Sequence, residues 1–258
     1  MNVAGVPRDS PDTPFTALVL AAGMGKRMNS DLPKVLHPAL GIPLIRHVLA
    51  RIAPLRPDRI VVVVGHRQEL VREALAGERV SFAVQEPQLG TGHATQVAWD
   101  EIAPGAPTLL VLAGDTPLVR TGTLRRLLER HHGEQSAATV LSAELDDPTG
   151  YGRIIRTRKD TFDKIVEEKD ATPRERKIRE VNSGMYCFAK KALSQALGLL
   201  RPDNAQKEYY LTDTLAILRG LGLRVGIERA DDSRECLGVN TPEQLRMVEE
   251  TLRAWGEG

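Results

Sequence analysis

Three short apolar runs constrain the fold of this chain more than any other feature of its sequence. They cover residues 16–22, 60–64 and 108–112, and turn-forming or polar residues bound each of them. The run at 60–64 is β-branched at every position and too short for a helix, which is typical of a central parallel strand covered on both faces. Segments with apolar residues at helical spacing lie between the runs, so strands are expected to alternate with helices.

This alternation predicts an α/β fold with a doubly wound, mostly parallel sheet of the Rossmann-like kind. Further strands are expected at 80–84, 153–158, 162–167 and 185–189. Helices are expected at 42–52, 68–76, 91–102, 121–132, 191–200 and 211–221, and after the capping box at 241–244.

Changes in the alternation of predicted strands and helices indicate the domain organisation. Residues 1–14 contain Pro7, Pro11 and Pro14 and are expected to be a flexible lead-in to one domain at 15–258. After Leu141 the chain becomes polar and charge-rich, so the segment at about 142–189 is expected to form a small inserted lobe over one end of the sheet. A solvated helix or loop is the simpler interpretation of its charge run at 169–180.

Composition excludes several classes of protein. The chain has 258 residues, of which 41% are hydrophobic and 27% are charged, and its formal net charge is +1. That composition is typical of a soluble enzyme, and the charge provides no global field for nucleic acid or a membrane surface. No apolar run is long enough for a membrane span, no signal peptide is recognisable, and the two cysteines lack metal-ligand spacing. A cytoplasmic protein without nucleic-acid or membrane partners is therefore expected.

The first apolar run opens into a glycine turn, Gly23 and Gly25, followed by the cations Lys26, Arg27 and Lys34. Missing Cβ atoms allow backbone N–H groups to approach a ligand, and a strand that ends in such a turn beside cations suits a phosphate chain. An ordinary strand-to-helix turn with solvated basic residues would have the same pattern. The complete dinucleotide fingerprint and the Walker A motif are both absent from this stretch.

Other polar residues stand near the ends of apolar runs. Asp115 follows the run at 108–112 and is a candidate Mg²⁺ ligand, although a carboxylate there could also cap a helix or form a turn. Asn240 could add a neutral oxygen ligand or serve only as a turn residue. Gln85 and Gln88 each offer a donor and an acceptor, as reading a pyrimidine imide edge requires, or they could hydrogen-bond at the surface.

The sequence indicates a functional role less strongly for the glycines and histidines nearby. Gly90 and Gly92 are expected to let the backbone pack against a flat base. His93 could act as a base, but it stands in the first turn of a predicted helix and is interpreted as structural. His66, in the turn after the run at 60–64, receives the same interpretation.

Ordered motifs run from Leu18 to about Leu245. They are LAAGMGKRM at 20–28, LPKVLH at 32–37, QLGTGHA at 88–94, GDTPL at 114–118, PTGYGRI at 148–154, IVE at 165–167, KDAT at 169–172, VNSG at 181–184, NAQ at 204–206, EYYLTD at 208–213 and GVN at 238–240. These motifs resemble those of the sugar-nucleotide pyrophosphorylases. Within that family the chain resembles the uridylyltransferase domain of bacterial bifunctional N-acetylglucosamine-1-phosphate uridylyltransferase/glucosamine-1-phosphate acetyltransferases.

The resemblance implies Mg²⁺-dependent transfer of a uridylyl group from UTP to N-acetylglucosamine 1-phosphate. It implies catalytic roles for Arg27 and Lys34 and metal binding by Asp115 and Asn240. It implies nucleotide binding by Ala21, Ala22, Gly23, Gly25, Gln85, Gln88, Gly90 and Thr91. It implies contact with the sugar phosphate for Gly152, Glu167, Asn182 and Thr212, with the inserted lobe as the sugar-binding part.

Two departures from the family pattern bear on these expectations. Lys26 stands where the family usually has threonine, which affects the expected preference for one nucleotide. The sequence ends at Gly258 without the hexapeptide repeats of the acetyltransferase β-helix, so no acetyl transfer is expected and the oligomeric state is left open. The alternatives are a uridylyl- or thymidylyltransferase for another sugar 1-phosphate and a non-catalytic nucleotide-sugar sensor.

Overall fold

The structure is a computed structural model that describes residues 13–23, 25–28 and 30–256. The predicted lead-in at 1–14 lies almost wholly outside the described residues, as does the side chain of Lys26. Across the described ranges, no helix combines the length and apolar character needed to cross a membrane.

Strands and helices alternate along most of the chain. The strands are β1 Phe15–Leu20, β2 Pro38–Ala39, β3 Ile42–Pro43, β4 Arg59–Val64, β5 Ser81–Val84, β6 Thr108–Ala113, β7 Ala138–Glu144, β8 Arg153–Arg156, β9 Phe162–Val166, β10 Glu180–Ala189 and β11 Val225–Arg229. The helices are α1 Leu44–Ile52, α2 Gln68–Ala74, α3 Thr91–Val97, α4 Thr121–Gly133, α5 Lys190–Leu197, α6 Leu211–Gly220 and α7 Pro242–Ala254.

The central sheet has the order β11-β7-β10-β6-β1-β4-β5. Strands β6, β1, β4 and β5 are parallel neighbours, β11 is parallel to β7, and β10 is antiparallel to both β6 and β7. The prediction of a doubly wound, mostly parallel α/β sheet is confirmed. The carboxyl ends of β1, β4, β5 and β6 meet at one edge, where open α/β sheets bind their ligands.

Side chains of β1 alternate between two cores on opposite faces of the sheet. Phe15, Ala17 and Val19 pack with residues of α1, α2 and α4, whereas Leu18 packs with residues of α3, α5 and α6. Both faces are thus covered by helices, which explains why the parallel strands read as continuous apolar runs.

The structure corrects several predicted elements. The helix expected at 91–102 ends at Val97, and a short 3₁₀ turn follows it. The helix expected at 42–52 begins at Leu44 because the two preceding residues form β3. Strands β7 and β11 were not predicted from the sequence. Six consecutive residues of β7 are buried, so it has no polar alternation, and β11 is a short edge strand after the turn at Gly222.

The segment predicted as an inserted lobe contributes to the main sheet as well as to a smaller hairpin. β10 pairs with β6 and β7, whereas β8 and β9 pair with each other and reach the sheet through one pairing of Arg153 with Val181. The hairpin therefore stands beside the carboxyl-end edge of the sheet.

Candidate functional site

The predicted nucleotide-binding residues lie together in one cleft. The cleft has a volume of about 600 Å³ at the carboxyl ends of β1, β5 and β6. Its lining includes Ala21, Ala22, Gly23, Gly25, Gln85, Gln88, Gly90 and Thr91, together with Lys34 and Asp115. The topology thus brings together residues that the sequence places in three separate segments.

The glycine turn after β1 holds Lys34 close to its backbone. Gly25 has φ +60°, and a Cβ at this position would lie 2.8 Å from Lys34 Cβ. A 3₁₀ turn begins directly afterwards, with Met28 N donating to Gly25 O at 2.9 Å. A side chain at position 25 would therefore push Lys34 away and would also strain the backbone.

Four predicted catalytic and metal-binding side chains form one connected cluster. Lys34 Nζ forms an ion pair with Asp115 Oδ2 and donates a hydrogen bond of 3.0 Å to Asn240 Oδ1. Arg27 Nη2 donates to the same Asn240 oxygen at 2.9 Å. The Lys34 and Asp115 side chains are only 18% and 11% exposed, so their interaction is better shielded from solvent than a surface pair. We call these four residues the cation cluster.

The oxygen atoms of Asp115 and Asn240 fit a hard divalent cation. Both already converge on one positive group, the Lys34 ammonium. One carboxylate and one amide oxygen form the sparse set that suits Mg²⁺, which keeps several waters and completes its shell with substrate phosphates. In the described part of the chain, no group of three or more His, Cys, Asp or Glu residues could hold a metal. A self-sufficient protein metal cage is thus not found in these ranges.

A second cavity of about 220 Å³ adjoins the cleft. Ala113, Asp115 and Gly184 line both spaces, and Arg27 and Asn240 line the second. The second cavity also contains three of the predicted sugar-phosphate residues, Gly152, Glu167 and Asn182. The fourth, Thr212, donates from its hydroxyl to Glu167 Oε1 at 3.1 Å. The cation cluster therefore stands at the junction of two cavities.

Glu167 is a half-buried carboxyl with an unusual electrostatic environment. Burial raises its pKa, the hydrogen bond from Thr212 opposes that shift, and the neighbouring Asp213 and Asp170 raise the pKa further. A Cβ on Gly152 would lie 3.2 Å from Glu167 Oε2 and 3.0 Å from Ile165 Cγ2. The absence of a side chain at position 152 thus leaves space above the Glu167 carboxyl.

Asn182 is fixed at both ends of its carboxamide. Its Nδ2 donates to Tyr186 Oη at 2.7 Å, and its Oδ1 accepts from Gly184 N at 3.1 Å. Its backbone N also donates to Gly152 O at 2.8 Å, which ties β10 to the hairpin of β8 and β9. Burial raises the pKa of Tyr186, so this phenol is a neutral partner.

The two predicted base-reading glutamines are held by backbone oxygens of the cleft. Gln85 Nε2 donates to Gly90 O at 2.8 Å and lies 3.2 Å from His93 Nδ1. Gln88 Nε2 donates to Ala22 O, which connects the loop after β5 to the glycine turn after β1.

Close packing inside the protein requires glycine at positions 90 and 92. A Cβ on Gly90 would lie 2.6 Å from Tyr209 O, and one on Gly92 would lie 2.5 Å from Leu200 Cδ1. Gly92 N also donates to Tyr209 O at 2.7 Å. The missing Cβ atoms let the start of α3 pack against the segment before α6, and the contact of this backbone with a base stays a prediction. Gly90 nevertheless lines the cleft.

The contacts that hold Asn240 were not predicted from the sequence. Leu237 to Asn240 form a loop, and Val239 N donates to Asp115 O at 2.9 Å. Gln244 Oε1 accepts from Asn240 N at 2.7 Å, while Gln244 N donates to the Thr241 hydroxyl at 3.3 Å. The capping box was visible in the sequence, but its glutamine reaches one residue beyond the N-cap to the predicted metal ligand.

Helix α7 anchors this loop by apolar packing. Val248 and Leu252 are buried against Met28, Leu44 and Leu118 in a core separate from the two sheet faces. Met28 ends the 3₁₀ turn that carries Arg27, so the same core supports both Arg27 and Asn240.

Sequence comparison places residues 17–209 in the family described as the MobA-like NTP transferase domain. The chain is 46% identical over 239 residues to the Bifunctional protein GlmU of Syntrophomonas wolfei, covering 93% of this chain and 53% of that protein. It is 50% identical over 232 residues to the Bifunctional protein GlmU of Paraburkholderia phytofirmans, covering 90% and 51%. The chain thus spans about half the length of the curated relatives that it matches.

The fold also has a counterpart among solved structures. A putative glucose-1-phosphate thymidylyltransferase from Bacillus anthracis, solved in complex with a sucrose, superposes with a TM-score of 0.73 at 21% identity. The match covers 93% of this chain and 95% of that chain. At this identity the likeness concerns the fold alone, whereas the family match spans most of the sequence: the chain belongs to the MobA-like NTP transferase domain family.

Proposed function

We propose that this chain is a sugar-nucleotide pyrophosphorylase. It transfers a uridylyl group from UTP to N-acetylglucosamine 1-phosphate with Mg²⁺ and releases UDP-N-acetylglucosamine and pyrophosphate. Family membership supports nucleotidyl transfer, and the motif resemblance supports UTP and N-acetylglucosamine 1-phosphate as the substrates.

The observation that carries the proposal is the position of the cation cluster between two cavities. The larger cavity contains the glycine turn and both glutamines, and the smaller one contains Glu167 and Asn182. A nucleotide in the first and a sugar phosphate in the second would bring their phosphates together beside Lys34 and Arg27. A simple binding pocket would not require cations at such a junction.

The chemistry needs charge neutralisation more than proton transfer. A phosphomonoester has a second pKa near 6, so a sugar 1-phosphate is largely a dianion at neutral pH. One of its oxygens attacks the nucleotide α-phosphorus, the bond from that phosphorus to the bridging oxygen breaks, and the electron pair leaves with pyrophosphate. Lys34 and Arg27 would hold the two repelling anions in line and neutralise the developing charge.

Asp115 and Asn240 would hold the Mg²⁺ in this reaction. When bound, that ion supplies a Lewis acid that neutralises phosphate charge and orients the triphosphate. The protein side chains then need only to position the substrates, so no base dyad is required. This explains why His93 and His66 need not act in catalysis.

Pyrophosphate release would test the proposal. The purified chain is assayed with Mg²⁺ against the four ribonucleoside triphosphates and dTTP, each combined with several sugar 1-phosphates. We expect the maximum with UTP and N-acetylglucosamine 1-phosphate. A maximum with another sugar 1-phosphate or with dTTP would support the mechanism and reject the proposed pair of substrates. Tight nucleotide-sugar binding without turnover would favour a non-catalytic sensor.

A further inference from the structure

We propose that His93 is a positioning residue that fixes the carboxamide of Gln85, so that the cleft prefers bases with an N3–H donor, uracil or thymine, over cytosine. The inference rests on the proposed function, because it assumes that Gln85 meets the base. It assigns a role to a histidine that the reaction itself does not use.

Both donor directions of the Gln85 amide are occupied inside the protein. Gln85 is buried, and its Nε2 contacts Gly90 O at 2.8 Å and His93 Nδ1 at 3.2 Å. The backbone of Gln85 is fixed as well, since its N donates to Val64 O at 2.8 Å. The side chain is thus held by the start of α3, and the backbone is held by β4.

The opposite orientation of the amide is unfavourable. Exchanging Nε2 and Oε1 would place the amide oxygen 2.8 Å from Gly90 O, so that two acceptors would face each other. The oxygen would also face His93 Nδ1, and only the tautomer with a proton on Nδ1 could then satisfy it. The orientation with Nε2 toward Gly90 O requires His93 to accept on Nδ1, which assigns its proton to Nε2.

Because His93 Nδ1 accepts a hydrogen bond from the second N–H of the Gln85 amide, Gln85 offers the ligand an acceptor and no donor. Gln85 lines the cleft, and no hydrogen bond to its Oε1 is found among the described residues. Uracil and thymine have an N3–H that can donate to this oxygen, whereas cytosine has a lone pair at N3 and would repel it. A site built for one hydrogen-bond pattern rejects the ligand that lacks it.

In this proposal His93 does not contact the base and acts on it through Gln85. It lies on α3 next to Gly92, is half-buried, and does not belong to the lining of the cleft. Replacing it should therefore change base preference through Gln85 and leave the phosphate chemistry intact.

The test compares His93→Phe, which removes the acceptor but keeps a ring, with His93→Asn, whose Oδ1 can occupy the place of Nδ1. Binding of UTP and CTP is measured by calorimetry with Mg²⁺ and without sugar phosphate, and steady-state kinetics follow. We expect His93→Phe to weaken UTP binding roughly three- to tenfold, the size of one hydrogen bond, and to lower the UTP-to-CTP preference similarly. The KM for UTP should rise while kcat changes less than about twofold.

His93→Asn should recover most of the preference, and His66→Phe, at an exposed histidine in the turn after β4, serves as the control. Equal behaviour of the Phe and Asn variants, or an unchanged UTP-to-CTP ratio in a folded His93→Phe protein, would overturn the inference. Thermal unfolding of each variant separates misfolding from a changed site. If the wild-type chain binds UTP over CTP but has no turnover, the proposed function fails while the binding comparison still decides the role of His93.

Discussion

Asn240 Oδ1 accepts a hydrogen bond of 3.0 Å from Lys34 Nζ, although 206 positions separate these residues in the chain. The same lysine forms an ion pair with Asp115. The Lys34 ammonium, which is predicted to bind phosphate, therefore contacts both predicted metal ligands. The Asp115 carboxylate partly neutralises the Lys34 ammonium, and this ion pair lies at the junction of the two cavities.

Removing either member of the Lys34–Asp115 pair should abolish turnover while leaving the fold intact. For Lys34→Ala and Asp115→Ala we expect kcat to fall by at least about 10²-fold, the usual scale for removing a charge-stabilising group. Pyrophosphate release measures the effect and thermal unfolding checks the fold. Arg246→Ala, at an exposed pair with Glu243, is the control and should be nearly neutral. Near-normal activity of either site variant would reject the assigned roles.

Gln244 should control metal binding through Asn240. In Gln244→Ala the Asn240 N–H loses its acceptor, so the loop that carries this predicted metal ligand should loosen. We expect the Mg²⁺ concentration for half-maximal activity to rise roughly three- to tenfold, with little change in kcat at saturating Mg²⁺. Gln244→Glu keeps the accepting oxygen and should restore the wild-type metal dependence. A loss of kcat that excess Mg²⁺ does not correct would contradict a positioning role.

Gly152→Ala should impair use of the sugar phosphate selectively. The added Cβ would crowd Glu167 Oε2 and Ile165 Cγ2 in the smaller cavity. We expect the KM for the sugar 1-phosphate to rise by roughly tenfold or more, the scale of displacing one or two polar contacts, while the KM for UTP stays within about twofold. Gly133→Ala is the matched control because a Cβ there would meet no atom within 4 Å. Equal increases in both KM values would indicate a general distortion instead.

His131 should make stability depend on pH below neutrality. Burial, followed by the charge of neighbouring His132, lowers the pKa of His131 from 6.5 to about 4. Between these values the unfolded chain binds the proton and the folded chain does not, so the free energy of unfolding rises with pH across that window and falls as pH drops. The full effect of this one group is about 3 kcal/mol.

Urea unfolding from pH 4 to pH 7 measures this dependence. Wild type should lose stability on acidification, and His131→Phe should lose less, whatever its absolute stability at pH 7. The loss of the contact between His131 Nδ1 and Thr139 Oγ1 lowers stability at every pH and does not mimic the slope. Parallel curves for the two proteins would show that other groups cause the acid sensitivity.

The predicted fold was recovered where apolar runs and helical periods were unambiguous. Strands β1, β4 and β6 were visible because their side chains are buried on both faces of the sheet. β7 has the same burial but follows a helix without a strong turn signal, and β11 is stabilised by pairing with β7 rather than by its own pattern. Strand pairing is non-local, so it overrode local appearance at both places.

The same distinction between local sequence patterns and tertiary contacts applies to the candidate site. The chemical inventory is visible in local sequence patterns: a glycine turn with following cations, an aspartate after a buried strand, paired glutamines and an asparagine before a capped helix. The contacts among these groups come from the fold: Lys34 lies between Asp115 and Asn240, Gln244 Oε1 accepts from Asn240 N, and Gln85 Nε2 lies 3.2 Å from His93 Nδ1. The physical reason is that propensity and periodicity act over a few neighbouring residues, whereas these contacts depend on the parallel register of the sheet and on the apolar packing that seats α3 and α7.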